Sequence, residues 1–419
     1  MADRLAATAE TALDALYRTA EALLAHTSET ASMALAELVV RRYRALKPSG
    51  RREFLTFLLR DLGASRPDVD LAIDLYRVER SEASLTRLFQ AVEPRRQALF
   101  RAINTAPEGT WTVLTMRSDL LGLLDEHPEL APVEADLFHV LSSWFNRGFI
   151  TLERINWGSP GAVLERLIDY EAVHEIRGWD DLRRRLEADR RCFGFFHPAI
   201  PDEPLIFIEV ALTDGLAASI QDLLDAPSPP DGESSADTAT FYSITNCQVG
   251  LRGIQLGNFL IKQVVHELAK ELPQLRGFAT LSPVPGFARW LRAARANGEF
   301  SAADQAILAL LDDQFWYENT ETTQVLRPVL SEACAHYLVS VKQGSLPADP
   351  VARFHLRNGA RLERINWLGD TSVNGLRQSH GTLVNYVYDE GQIAGNHEAY
   401  VHNGTVVHSE EVSRLLHGR

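Results

Sequence analysis

Apolar residues recur at helical spacing through the first third of the chain. Leu13, Leu16, Ala20, Leu23 and Leu24 form one stripe. Phe54, Phe57, Leu58 and Leu62 form another, after Pro48, Ser49 and Gly50. Leu120, Leu121, Leu123 and Leu124 follow, then Leu137, Val140, Leu141 and Trp144. Residues three and four positions apart share one face of a helix, so these stripes predict helices that pack on one another. Pro67, Pro94, Pro107, Pro128 and Pro132 separate the segments. The helical pattern ends near Arg147-Gly148. From Phe149 the run FITLERINW is rich in β-branched and aromatic residues and predicts a strand. A helix is expected from Gly161 to Tyr170. Further strands are expected at 191–196, 205–213, 240–246, 277–281 and 360–367, with helices at about 254–272, 286–296, 301–312 and 328–342. APSPPDGESSAD (226–237) reads as a mobile loop. LERINW occurs at both 152–157 and 362–367. The flanking segments do not match, so coincidence between two buried strands is the better reading than duplication. The expected class is α+β, with a helical domain over 1–148 and a mixed α/β domain over 149–419.

Composition narrows the function. A chain of 419 residues exceeds what one hydrophobic core holds, which supports two domains. The formal net charge of -14 provides no general attraction for nucleic acid or an anionic membrane, so an anionic ligand needs a local cradle. Cys192, Cys247 and Cys334 are far apart, which points to reduced, structural thiols rather than a disulfide frame or a zinc knot. No apolar run reaches the roughly 20 residues of a membrane span. The acid-containing N-terminal segment resembles neither a secretion signal nor a transit peptide, and His-Gly-Arg at the end is no peroxisomal address. A cytoplasmic location is therefore expected. The 13 histidines form no HExxH or similar pair, so no metal site is expected.

Four segments carry candidate chemistry. In FYSITNCQVGLRGIQLGNFLIKQVVHEL (241–268) a strand leads through Gln248, Val249, Gly250, Leu251, Arg252 and Gly253 into an amphipathic helix. A glycine-containing turn before a helix can present backbone N–H groups to a pyrophosphate, though two glycines can equally serve a tight turn alone. In FATLSPVPGFARWL (278–291) Ser282 stands at a strand end, where Pro283 keeps it extended. In DPVARFHLRNGARLERINW (349–367) Val351, Phe354 and Leu356 form the apolar stripe of a short helix. His355 lies in its last turn, and Asn358-Gly359 ends it. In RQSHGTLVNYVY (377–388) alternation places Tyr386 and Tyr388 on one face of a final strand. Taken singly, each of these side chains has a structural reading at least as strong as a functional one.

Together the four segments resemble the malonyl-CoA decarboxylase family. The resemblance runs from about Trp144 to Tyr388 and is strongest in YSITNCQVGLRG–LGNFLIKQVV, LSPVPGF, FHLRNGA–L–RINW and NYVY. It implies an all-helical N-terminal domain and a catalytic domain with the fold of the GNAT acyl-CoA transferases. It implies CoA pyrophosphate binding at the 248–253 turn, a catalytic serine at Ser282, a catalytic histidine at His355 and a further active-site residue at Tyr388. It also implies homo-oligomers, dimeric or tetrameric, with malonyl-CoA and acetyl-CoA as ligands and no separate cofactor, since the CoA thioester is the substrate. One position departs: Gln255 stands where characterised relatives tend to carry Glu in G-x-E-L-G. An amide retains hydrogen bonding but cannot act as a base.

The expected reaction loses CO2 from malonyl-CoA and protonates the resulting thioester enolate. Ser282 would orient the substrate and His355 would deliver the proton. An acyl-CoA acyltransferase and a non-catalytic acyl-CoA-binding protein are the alternatives that the same fold admits.

Overall fold

A computed structural model describes residues 2–26, 28–229, 232–254 and 260–417. It divides into two compact units. The first comprises Met1–Thr151, Phe196–Leu205 and Gln248–Gly257, and the second comprises Leu152–Phe195, Ile206–Cys247 and Asn258–Arg419.

Among the described residues the first unit is built on eight α-helices: Ala2–Ala25, Glu29–Arg44, Pro48–Arg60, Arg66–Glu79, Glu82–Val92, Arg95–Ile103, Gly109–Leu121 and Ala131–Trp144. Pro48, Pro67 and Pro132 sit in first turns, where a missing N–H costs nothing. Of the expected stripes, Leu16, Ala20, Leu23, Phe54, Leu58, Leu120, Leu137 and Leu141 are buried, whereas Leu123 and Leu124 follow the end of Gly109–Leu121 and are half-buried. Inside it, Asp136 accepts from both Arg96 and Gln97, so the buried carboxylate is paired. The hairpin of Arg66–Glu79 and Glu82–Val92 differs. Its helices bury little beyond Ala72 and Ser84, while Leu71, Val78, Leu85, Phe89 and Val92 face outward.

The second unit is built on a mixed sheet. The strands are β1 (Thr151–Ile155), β2 (Arg190–Phe196), β3 (Ile206–Thr213), β4 (Thr238–Asn246), β5 (Gly277–Thr280), β6 (Ser282–Pro283), β7 (Lys342–Gln343), β8 (Leu346–Pro347), β9 (Arg361–Asn366) and β10 (Leu383–Val387). Eight form one sheet in the order β1-β2-β3-β4-β5-β10-β6, with β9 also pairing β10; β7 and β8 make a separate hairpin. β4 and β5 run parallel, joined by a crossover that contains the helix Leu260–Glu271. The pairings of β10 with β5, β6 and β9 are antiparallel. The chain thus has the expected class, a helical region followed by a mixed α/β region.

A buried ion pair links the helix Trp179–Arg185 to β3. Arg185 Nη1 donates to Glu209 Oε2 at 3.1 Å, while Glu209 Oε1 has no partner among the described residues. Burial pushes the Glu209 carboxyl up to about 8 against the opposing pull of Arg185. The three cysteines are buried, and none of them is in a disulfide.

Several expectations are corrected. The helix expected at 328–342 spans Thr320–Val339, with Pro328 in its interior. The 301–312 helix is a short α-helix, Ala302–Leu308, followed by a 3-10 turn, Ala309–Asp312. Ile254 closes a turn onto Leu251 rather than starting a helix, and the described helix begins at Leu260. The two copies of LERINW are not two buried strands: β1 is a largely exposed edge strand, whereas β9 pairs with β10 and is half-buried. Within the 226–237 segment, residues 230 and 231 lie outside the described residues. Ser228 donates to Asp189, Glu233 pairs with Arg191, and Gly232–Ser235 forms a helical turn.

Candidate active site

The site forms where the pairing between two strands is interrupted. β10 lies opposite β5 with Val387 facing Ala279, and opposite β6 with Val384 facing Ser282. The register is the same on both sides of Leu281. In between, side chains replace the main-chain ladder. The Tyr386 N–H donates to Thr280 Oγ1 at 3.1 Å, and Asn385 Nδ2 donates to the Thr280 carbonyl at 2.8 Å and the Ala217 carbonyl at 2.9 Å. Leu281 N–H instead donates to Phe241 of β4 at 2.8 Å. Buried polar groups therefore remain satisfied while the strands part, and Ser282 emerges just beyond the end of β5.

His355 arrives from the helix Pro350–Arg357. Asp349 caps it, with Oδ1 accepting from Val351 N and Ala352 N at 2.9 Å each, and Pro350 occupies the first turn. Gly359 ends it at φ 84°, and a Cβ there would sit 2.2 Å from the Ile393 carbonyl oxygen. The buried face of this helix is Ala352, His355 and Leu356. Phe354, expected in the apolar stripe, is 40% exposed. The histidine has taken the inward place that the spacing offered to phenylalanine.

Three expected residues meet there. His355 Nε2 lies 3.1 Å from Ser282 Oγ, and His355 Nδ1 lies 2.8 Å from Tyr388 OH. Tyr386 stacks on the imidazole at 4.7 Å and 24°. Ser282 Oγ also donates to Thr280 Oγ1 at 2.8 Å. His355 is buried, and burial alone pushes its pKa down to about 3, so the imidazole is neutral. Burial likewise keeps the Tyr388 phenol protonated. Ser282 and His355 border a cavity of about 260 Å³, walled by Ile206, Ile208, Phe241, Ile244, Leu260 and Ile261. It lies at the C-terminal ends of the parallel pair β4 and β5, where such sheets place ligands. Thr280 and Asn385 were not singled out in the sequence. A threonine two positions before Ser282 and an asparagine within an apolar run were the available signals.

The 248–253 turn belongs to the first unit. Val249–Leu251 form a 3-10 turn, and Gly253 adopts φ 81°. Arg117 donates to the Gly250 carbonyl at 2.6 Å and the Arg252 carbonyl at 2.8 Å. Gln248 Nε2 donates to Pro204 O at 3.1 Å. A Cβ on Gly250 would lie 2.3 Å from the Leu114 carbonyl oxygen, so helix packing requires this glycine. The amides of Leu251, Arg252 and Ile254 close onto carbonyls inside the turn, which leaves those of Gly250 and Gly253 outside that internal set. Val249 and Arg252 face outward. Gln255 lies outside the described residues. Among the described residues no cluster of His, Cys, Asp or Glu is arranged to hold a metal ion, and no helix is long and apolar enough to cross a membrane.

The family model for the malonyl-CoA decarboxylase C-terminal domain matches residues 148–419, and the model for the N-terminal domain matches 62–145. The chain belongs to the malonyl-CoA decarboxylase family. It is accordingly a decarboxylase, a carboxy-lyase. A mitochondrial malonyl-CoA decarboxylase from Anser anser anser is 38% identical over 409 residues, covering 89% of this chain and 81% of that protein. Its counterpart from Mus musculus is 37% identical, covering 79% and 73%. The solved malonyl-CoA decarboxylases from Rhodopseudomonas palustris and Agrobacterium vitis each superpose with a TM-score of 0.91 at 46% identity, covering 96% of this chain and 99% of theirs.

Proposed function

We propose that this enzyme converts malonyl-CoA to acetyl-CoA and CO2, with Ser282, His355 and Tyr388 carrying the chemistry. The observation behind this reading is the continuous hydrogen-bonded set Tyr388–His355–Ser282 at the edge of an apolar cavity. The bond between the α-carbon and the carboxylate carbon breaks, CO2 leaves, and the electron pair moves into the thioester as an enolate. A proton then reaches the α-carbon. An apolar chamber replaces the water around the substrate carboxylate with fixed protein groups, and it favours the transition state in which that charge has spread toward the thioester. Ser282 orients the thioester or carboxylate oxygen. His355 gives its Nε2 proton to the α-carbon while its Nδ1 takes the proton of the Tyr388 hydroxyl behind it, so the ring stays neutral, and the phenol regains a proton from water when product leaves.

The CoA pyrophosphate is assigned to the Gln248–Gly253 turn, where the amides of Gly250 and Gly253 and the Arg252 side chain are the donors. The thioester itself serves as electron sink, so the reading calls for no added cofactor. The mixed α/β region with its parallel β4–β5 pair fits an acyl-CoA transferase-like catalytic domain over 149–419. The outward apolar side chains of the 66–92 hairpin support residues 1–148 as the domain through which copies associate into homo-oligomers.

The test is His355→Asn, which keeps shape and one hydrogen bond but removes the transferable proton. Binding of malonyl-CoA should persist while release of CO2 falls by about 10²–10³-fold or more. Near-normal turnover would overturn the assignment. Product analysis by mass separates the classes. A decarboxylase yields acetyl-CoA from malonyl-CoA alone, an acyltransferase releases free CoA only with an acceptor, and a binding protein yields neither.

A further inference from the structure

The Ser282 hydroxyl has two close partners and one proton. It donates to Thr280 Oγ1 at 2.8 Å and lies 3.1 Å from His355 Nε2. With its proton on the Thr280 side, the contact to His355 is a hydrogen bond only if the imidazole supplies the proton from Nε2. A neutral imidazole carries one N–H, so Nδ1 must then accept. The group facing Nδ1 is the Tyr388 hydroxyl at 2.8 Å, a phenol that burial keeps protonated and able to donate. The four residues thus form one directed chain, from Tyr388 to His355 to Ser282 to Thr280.

Thr280 is held firmly at the end of this chain. Its Oγ1 also accepts the Tyr386 N–H at 3.1 Å, and its carbonyl accepts from Asn385 Nδ2 at 2.8 Å. It is itself fully buried, as is Asn385. We propose that Thr280 is a positioning residue for decarboxylation: in the enzyme without substrate it takes the Ser282 proton and so keeps a proton on His355 Nε2, the nitrogen beside Ser282, and when Ser282 turns its proton to the substrate oxygen its Oγ still accepts from Nε2. The inference rests on the Ser–His reading above. Without the threonine oxygen, Ser282 turns its proton toward Nε2, the imidazole shifts to the Nδ1–H tautomer, and Nδ1–H then donates to the Tyr388 oxygen. The chain runs backwards, and no imidazole proton faces the substrate.

The experiment compares the full-length enzyme with Thr280→Val, which keeps shape and loses the oxygen, and Thr280→Ser, which keeps the oxygen. Steady-state kinetics on malonyl-CoA are read beside the His355 tautomer, assigned by NMR on protein with isotope-labelled histidine. Thr280→Val should lower kcat by about 10²-fold, the scale of one misdirected proton transfer, with KM within about threefold. His355 should move from Nε2–H to Nδ1–H, and Thr280→Ser should restore both. Parent-like kcat in Thr280→Val, or failure of Thr280→Ser to restore it, overturns the proposal. An Nδ1–H tautomer in the unaltered enzyme overturns it too, even if Thr280→Val fails to fold. Near-normal turnover in His355→Asn would instead remove the Ser–His pair itself. A dead His355→Asn beside an unaffected Thr280→Val would sink the role of Thr280 alone.

Discussion

Replacing Tyr388 with phenylalanine removes one hydroxyl from a fully enclosed place and leaves the ring. The tyrosine is 2% exposed, and its OH is 2.8 Å from His355 Nδ1. In the variant, Nδ1 is a buried acceptor with no partner, which costs roughly 1–3 kcal/mol of stability. The imidazole also loses the group that fixes its tautomer, so the catalytic cost should be larger than the structural one. A fall of about 10²-fold in kcat, near 2.7 kcal/mol of transition-state stabilisation, is expected. Tyr388 does not line the cavity, so KM for malonyl-CoA should stay within about threefold. The control is Tyr386→Phe. That ring stacks on the same imidazole, but its hydroxyl is buried without a partner among the described residues. Its loss removes a desolvated group and no hydrogen bond, so kcat should stay within about twofold and stability should hold or rise slightly. Rates of CO2 release and urea denaturation curves for the two variants read both effects. Parent-like kcat in Tyr388→Phe, or an equal loss in Tyr386→Phe, would refute the reasoning.

Two further perturbations probe other parts of the molecule. Gly250→Ala forces a methyl group to within 2.3 Å of the Leu114 carbonyl oxygen, so the turn must shift. Stability should fall by about 1–3 kcal/mol in urea and KM for malonyl-CoA should rise more than kcat falls; unchanged values for both would count against the turn as a CoA-binding element. Glu209 has its carboxyl pushed up to about 8 by burial, against the pull of Arg185. Its folded pKa is above its unfolded one, so the stability it contributes is complete below the ordinary carboxylate range and is lost as pH rises through about 8. Glu209→Gln does not titrate. The stability of that variant relative to the parent should therefore climb between about pH 5 and pH 8, and a constant difference across that window would contradict the assignment.

Much of the architecture was legible because helical and strand periods are local. The stripe Phe54, Phe57, Leu58, Leu62 buries its members as expected, and β3, β4 and β10 fall where alternation and β-branched residues place them. Proline misled in one place. Pro328 reads as a helix start, yet it lies inside Thr320–Val339, whose buried residues Leu326, Val329, Leu330, Ala333 and Cys334 hold the helix through the lost N–H. The helices Trp179–Arg185, Val373–Ser379 and Glu410–Leu416 were not expected because they are short and largely polar; side-chain caps such as Ser372 and Ser409 start two of them. Within the site, Ser282, His355 and Tyr388 stood out only as members of ordered motifs. Their distances depend on which strands pair, which no local pattern encodes. Thr280 and Asn385 were missed for the same reason: their polar atoms act across an interruption that exists only once β10 lies beside β5 and β6.

The unchanged register on either side of Leu281 has a consequence for how this chain can vary. Thr280 and Ser282 reach each other because they are two residues apart on a pleated path whose alternation continues through the interruption. Insertion or deletion of one residue between them would reverse the phase and turn the serine hydroxyl to the opposite side of the sheet. The spacing of this tripeptide is therefore as much a part of the chemistry as the identity of its side chains. Library design can diversify Leu281 among residues of similar volume, but it must leave the count of residues from Gly277 to Pro283 untouched.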